Sequence, residues 1–454
     1  VFDYVDYLTA RQYLALRLND PTNVFWSDAE NGLYLKEALR VWNCLTQVWD
    51  ADWQVQLSDT SLTWQSTANS QNSLVGSNPS SPRFQTLTDA YCYSLAEYHL
   101  LEPATGAAWT GTNQFTIQDF SQALQRRRDV ILQNAACNIG PFSNSFSLSP
   151  GTSRVYLPDS VTSSILDLRR VRFVPAANQG SPSTLFREDG LAFEYFDNAY
   201  EQTSGNPTGW DVLSSPPLAL TFNAKANVPN TLEILAMISG GMISPPTSSP
   251  LLIPDDFYWV LKFGMMADVL SKDAQSADYE RAAYCEQRFQ EGLRLMVEMP
   301  WLLKAKINGV PVGTPSVTEM DDFAWEWQSD SSAPSAVVRG GIDLFAVSPP
   351  IPADTTQSVM LSLVGNAPVP SADGDMVQVP RDVLDVILDE AQHLANFKMG
   401  GAEFQASLPL HRNFIEMAKL TNERLAMSGI FASDLRPPVS REDQIQPRFA
   451  VERK

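Results

Sequence analysis

The sequence predicts an α+β protein, a helical bundle with inserted antiparallel β domains. Three observations lead there. Pro254 to Met296 reads as a helix hairpin. The same pattern returns about 126 residues later, from Pro380 to Leu425. Around both hairpins lie runs of period-two alternation bounded by Pro, Gly and Ser, which read as strands.

The first hairpin opens at Pro254-Asp255-Asp256, and Phe257, Val260, Leu261, Gly264, Met265, Asp268 and Val269 follow at helical spacing. A polar break spans Ser271 to Ala277. Tyr284, Cys285, Phe289, Leu293 and Met296 then share one side of a second helix, and the short connection favours antiparallel packing. The second hairpin opens at Pro380-Arg381-Asp382 with Val383, Leu384, Ile387, Leu388, Leu394 and Phe397. It breaks at Gly400-Gly401 and resumes with Leu410, Phe414, Met417, Ala418, Leu420 and Leu425.

The flanks repeat too. Leu191-Ala192-Phe193-Glu194-Tyr195 is echoed by Phe323-Ala324-Trp325-Glu326-Trp327. Ser215-Pro216-Pro217 is echoed by Ser348-Pro349-Pro350, and Thr231 to Leu235 by Ser358 to Leu363. The shared order of aromatic-acidic strand, Pro-rich turn, alternating strand, long loop and helix pair indicates an internal duplication. The chain divides into N-terminal helices with a β-hairpin and helical insert (1–145), a first β-plus-hairpin copy (146–300), a second (301–428) and an extended tail (429–454).

Within the first division, Val5, Leu8, Tyr13, Leu14, Leu16 and Leu18 form a helix ended by Asn19-Asp20-Pro21. Ser27 and Glu30 make a capping box, with Trp26 as its staple, for a helix running to about Asp50. Residues 53–64 alternate as a β-hairpin. Leu87, Tyr91, Leu95 and Tyr98 stripe one helix, and Phe115-Thr116 starts another. Phe142 to Pro150 reads as loop, Arg154 to Asp159 as a strand ending in a turn, and Ile165 to Val174 as a short turn and a strand. Phe193 to Phe196, Trp210 to Leu213, Leu218 to Phe222 and Leu232 to Ile238 read as further strands.

At 454 residues the chain exceeds one ordinary core, and a 44% hydrophobic fraction can fill two or three. A formal net charge of -20 argues against wrapping nucleic acid, whose binding needs basic patches. It allows DNA to pass nearby without sticking. Cys44, Cys92, Cys137 and Cys285 lack metal-site or redox spacing, and Cys44, Cys92 and Cys285 fall on apolar helical faces as buried thiols, which fits a reducing compartment at synthesis. No run reaches transmembrane length and no signal-peptide pattern opens the chain. The first residue is Val1 rather than Met, so trimming at the start is expected.

Chemical motifs are scarce. His99, His393 and His411 lie on three helical segments; His393 and His411 can meet across the second hairpin, with no acidic ligand fixed beside them by spacing. No P-loop, HExxH, dinucleotide fingerprint or GxSxG occurs. Asp255-Asp256 and Asp382 suit helix starts as capping carboxylates. Asp321-Asp322 precedes a strand, and Asp373-x-Asp375 lies in a loop without the EF-hand pattern. Arg126-Arg127-Arg128, the dense basic cluster, reads as a salt-bridging face rather than a nucleic-acid contact. No catalytic, cofactor-binding or metal-ligating residue is assigned, and an enzyme is not expected.

Tyr13 to Pro21, Phe25 to Glu30, Tyr34 to Asn43, Leu252 to Phe257 with Lys262-Phe263-Gly264, and Arg281 to Phe289 together resemble tailed-phage virion proteins. The combination is similar to the head-to-tail adaptors of the tail tubular protein A group. The resemblance covers about residues 8–55 and 150–298. It implies twelve copies in a ring beneath the portal protein, joining it to a tail nozzle or fibre proteins, with DNA passing through the lumen and no membrane. It places the protein in the virion neck or tail, assembled in host cytoplasm. The helical insert at 84–139 and the second copy make this chain longer than the smaller adaptors. The alternative is a tail or neck protein that anchors fibres or binds host-surface carbohydrate, with Trp210, Trp325 and Trp327 as its aromatic platform. An intracellular enzyme would instead require a deep pocket with perturbed ionisable groups.

Overall fold

The computed structural model describes residues 4–57, 65–66, 86–101, 109–110, 114–157, 165–176, 179–180, 183–213, 219–245, 248–272, 278–298, 302–323, 327, 333–342, 344–351 and 355–427. The fold is α+β. The chain opens with β1 (Val5–Asp6), α1 (Tyr7–Arg17), α2 (Asp28–Thr46), β2 (Asp50–Leu57) and β3 (Gln65–Ser66). Next come α3 (Asp89–Leu100), α4 (Ile117–Ala135), β4 (Ile139–Phe146), β5 (Arg154–Tyr156), β6 (Ile165–Pro175) and β7 (Ser183–Arg187). These lead to α5 (Gly190–Phe196), β8 (Gly209–Leu213), β9 (Ala219–Phe222) and β10 (Asn230–Ile238). The first hairpin is α6 (Tyr258–Leu270), entered through a 3-10 turn at Asp255–Phe257, and α7 (Tyr279–Glu298). The remainder is β11 (Leu302–Ile307), β12 (Val310–Val312), α8 (Val317–Phe323), β13 (Ala336–Arg339), β14 (Leu344–Ser348), β15 (Gln357–Val364), β16 (Met376–Val377), α9 (Arg381–Asn396) and α10 (Gly401–Met427).

The duplication is visible strand by strand. One sheet runs β4-β10-β6-β7-β8-β9-β5; the others run β12-β11-β15-β2 and β13-β14-β3. In both copies a long central strand lies antiparallel between two earlier strands, β10 between β4 and β6 and β15 between β2 and β11. Ile234 faces Phe142 as Leu361 faces Trp53, and Met237 faces Ile139 as Val364 faces Asp50. Even the irregularity matches: pairing slips between Leu235 and Ala236 of β10 against β6, and between Leu302 and Lys304 of β11 against β15. A parallel step joins Phe186 to Gly209, and a parallel bridge joins Gly313 to Ala336.

The helices repeat as closely. α2 and α4 each have 19 residues, start in capping boxes (Ser27 with Glu30, Thr116 with Asp119), and stop at left-handed residues, Gln47 at φ 51 and Ala136 at φ 53. Each is followed by an 8-residue strand. β1 pairs with β16 ahead of α1 and α9, just as Thr88 bridges Pro250 ahead of α3 and the first hairpin. One copy is therefore residues 86–298. The other is residues 4–66 together with 302–427, and the first is inserted into it between β3 and β11.

Several expectations change. Residues 4–66, expected in an N-terminal unit, complete the second copy, and residues 86–146 belong to the first. β2 pairs with β15; residues 62–64, the expected second arm of its hairpin, lie outside the described residues, as do 429–454. Phe142 sits in β4 rather than in a loop. Phe193 to Phe196 is helical, because the Asp189 carboxylate accepts from Leu191 N and Asp211 accepts from Gly190 N, fixing a helix start. Its counterpart is α8, which contains Asp321 and Asp322, rather than 323–327.

The helices share one core, with Trp42, Trp259, Phe120 and Phe414 fully buried. Each β domain has its own, around Phe173, Trp210 and Phe222 in one and Trp53, Phe345 and Leu361 in the other. α6 and α7 approach closely where side chains vanish. A Cβ on Gly292 would meet Val260 at 2.3 Å, and one on Gly264 would meet Phe289 at 2.6 Å.

Candidate functional site

The chemistry-bearing side chains collect where the two copies meet. α6 of the first copy lies against α2 of the second, and the Lys262 ammonium sits 2.5 Å from Glu37 with both side chains fully buried. Tyr258 donates to the same carboxylate at 3.1 Å, and Lys262 donates to His99 Nε2 at 3.3 Å. Burial, reinforced by the Lys262 charge, holds His99 well below the ordinary imidazole range, so its ring is neutral. Asp256 accepts from Asn43 at 2.6 Å and from Ala367 N at 2.9 Å. Asp255 accepts from Thr86 N at 2.8 Å and Leu87 N at 3.1 Å. The pair, expected to cap its own helix, instead ties in distant backbone, and Pro254 occupies the cap without a side-chain bond.

A second cluster joins α7 to α9 and α10. Arg288 donates to Glu390 at 3.3 Å and to His411 Nε2 at 3.1 Å, while His411 Nδ1 donates to Glu390 at 2.7 Å. Burial pushes the Glu390 carboxyl up, but His411 and Arg288 outweigh it and bring it down to about 2. His393 stacks on His411 with ring centroids 5.2 Å apart, so the two histidines do meet. Ser407 Oγ donates to Phe404 O, which leaves it to accept from His393 Nδ1 at 2.8 Å; His393 Nε2 then accepts from Tyr284 at 2.7 Å. Burial brings His393 down to about 3. A groove of ≈ 970 Å³ between α7 and α10 reaches His411 and Arg288. Both nitrogens of both rings are engaged in protein bonds, so neither offers a lone pair to a substrate in this arrangement. Among the described residues no group of three or more His, Cys, Asp or Glu is placed to hold a metal ion.

On the β side, α8 of the second copy docks onto β6 of the first. Arg170 grips Asp321 with two bonds of 2.9 and 2.8 Å, stands 5.4 Å over the Trp327 ring, and Trp327 donates to Asp321 at 2.8 Å. Leu235 and Met237 pack there with Ala136, Leu166 and Leu344. The two hairpins face each other, and beyond them the contacts use unlike elements: α6 of the first copy reaches α2 of the second, and β6 of the first carries α8 of the second. α4, the counterpart of α2, turns its basic side chains to its own hairpin.

That accounts for the Arg126-Arg127-Arg128 cluster. Arg126 pairs with Asp268 at 3.1 Å, Arg127 with Asp268 and with Glu286 at 2.7 Å, and buried Arg128 donates to the Pro250 and Gly241 carbonyls. Asp373 pairs with Arg11, and Asp375 accepts from Ser371 N and Ala372 N. Trp210 and Trp327 are buried, so they form no exposed platform; Trp325 lies outside the described residues. All four cysteines are buried thiols outside any disulfide. Sequence reasoning missed the cross-copy bonds of Glu37, Lys262, Glu390 and Arg170. A charged residue inside an apolar helical stripe, as Lys262 is, was the available signal. No helix among the described residues is long and apolar enough to cross a membrane. Comparison with protein families and with curated proteins gave no match for this sequence.

Proposed function

We propose that the chain is a structural virion protein: a head-to-tail adaptor that assembles as a ring of twelve, joins the portal protein to the tail nozzle or fibre proteins, and lines the channel through which DNA passes. The observation that carries this reading is the contact between the two copies. Beyond the facing hairpins they meet through non-equivalent elements, α6 on α2 and β6 on α8, the type of contact that propagates into rings when the rotation closes. The charged clusters at that contact hold helices together, which suits a scaffold. A net charge of -20 with an internally neutralised arginine cluster favours a passage along which DNA slides. The test is negative-stain imaging and mass measurement of the purified protein. Closed rings with a central opening support the proposal; a stable monomer that turns over a substrate overturns it.

A further inference from the structure

A cleft of ≈ 390 Å³ opens between the two copies and shares no residue with the groove that reaches His411 and Arg288. The first copy contributes Arg169, Met237 and Met296 to its walls; the second contributes Leu302, Arg339 and Ile342. The four apolar side chains are buried. Among the described residues the Arg339 guanidinium has no ion pair, and its Nε is buried without a hydrogen-bond partner. A buried donor without an acceptor is costly, so native structures rarely keep one without a reason. Arg169, oriented by the Gln133 carbonyl, adds a second positive charge that is only partly answered. Asp167 lies 3.3 Å from it and 3.5 Å from Arg187, so one carboxylate serves two guanidinium groups. Ser316, also in the wall, accepts at Oγ from Glu319 N, which leaves its own O–H for another acceptor. No Asp or Glu is among the described residues lining the cleft, in a chain whose formal net charge is -20.

We infer that this cleft binds a small organic acid, a carboxylate on an apolar stem, with the carboxylate against Arg339 and the stem along Met237, Met296, Leu302 and Ile342. The two kinds of wall select this class together. A bare anion would leave the methionine wall unused, and a neutral apolar molecule would leave the guanidinium unpaired. The volume lies at the lower end for small-molecule sites, which run from roughly 300 to 1,000 Å³. Because the walls come from both copies, a bound acid ties one to the other and stabilises the fold by mass action. The inference goes beyond the connector reading and holds for a single chain as for a ring.

The test is calorimetric titration and thermal melting of the full chain with octanoate, acetate and octanol. Octanoate is expected to bind saturably and to raise the melting temperature. Acetate lacks the stem and octanol lacks the charge, so each is expected to bind at least roughly tenfold more weakly. Arg339→Gln is expected to weaken octanoate roughly ten- to a hundredfold. It should leave the ligand-free melting temperature at or above wild type, because the guanidinium holds no partner in the fold. Val297→Trp, at a wall position that is 56% exposed, fills the cleft from outside the core and is expected to abolish binding. Octanoate that does not bind, or that acetate or octanol matches, overturns the inference. So does wild-type affinity in either variant, or an Arg339→Gln chain that melts earlier without ligand, since the arginine would then serve the fold.

Discussion

Replacing Lys262 with Met tests whether the buried pair between the copies behaves as the geometry requires. At 2.5 Å the two charges attract by roughly 7 kcal/mol at an effective dielectric of about 20. Desolvation of two fully buried ions opposes this by several kcal/mol each, so the intact pair is close to neutral against an apolar pair of the same shape. Removing only the ammonium leaves Glu37 buried and uncompensated, at a cost of about 3–5 kcal/mol. Tyr258 still donates to that carboxylate, which places the expected loss near the lower end. Removing both charges, as Lys262→Met with Glu37→Leu, is expected to return stability to within about 1 kcal/mol of wild type. Urea unfolding of the two single variants and the double variant, followed by tryptophan fluorescence, gives the cycle. If Lys262→Met alone unfolds at the wild-type midpoint, the pair is not buried as described and the helical contact between the copies needs revision.

Acid should destabilise the fold in two stages. His393, held near 3, and His99, also depressed, contribute stability fully present above about pH 6.5 and lost as pH falls toward their folded values. Glu390 adds a second loss below about pH 4.5, of about 3 kcal/mol in all as pH falls through about 2. A melting temperature unchanged between pH 7 and pH 4 contradicts this. Cys92 is pushed up to about 12 by burial, and Cys285 is also raised by burial, so neither thiol should react with a disulfide reagent until the protein unfolds. Rapid labelling of the native chain at either cysteine refutes it. Gly292→Val forces side-chain atoms into Val260 and Trp259 and should destabilise by about 1–3 kcal/mol; a wild-type denaturation midpoint contradicts the close approach of α6 and α7.

The helices were legible because their signals are local. The capping box at Ser27 and Glu30, the stripes of both hairpins and the Gly400-Gly401 break, which the structure places at φ 64 and 53, all lie within one or two turns of what they specify. The strands were legible as strands, but not their partners. Alternation from Trp53 to Leu57 announces a half-buried strand and carries no information that β15, some 300 residues away, completes its sheet. That long separation hid the insertion of one copy into the other. The clue was present in the second capping box, Thr116 with Asp119, which opens a helix and strand of the same lengths as those following Ser27. α5 was misread because Phe193-Glu194-Tyr195-Phe196 has strand-forming composition and seven residues are too few to show a helical period; Asp189 and Asp211 decide its conformation. The pairing of His411 with Glu390 depends on the hairpin turning back on itself, which spacing alone does not encode.

Mass photometry of the native, purified chain bears most directly on the connector reading. A chain of 50.3 kDa that forms closed rings should give one discrete high-mass species, at twelve times the chain mass on the adaptor resemblance, persisting on dilution. A single peak at the mass of one chain, unchanged as concentration rises, would contradict it.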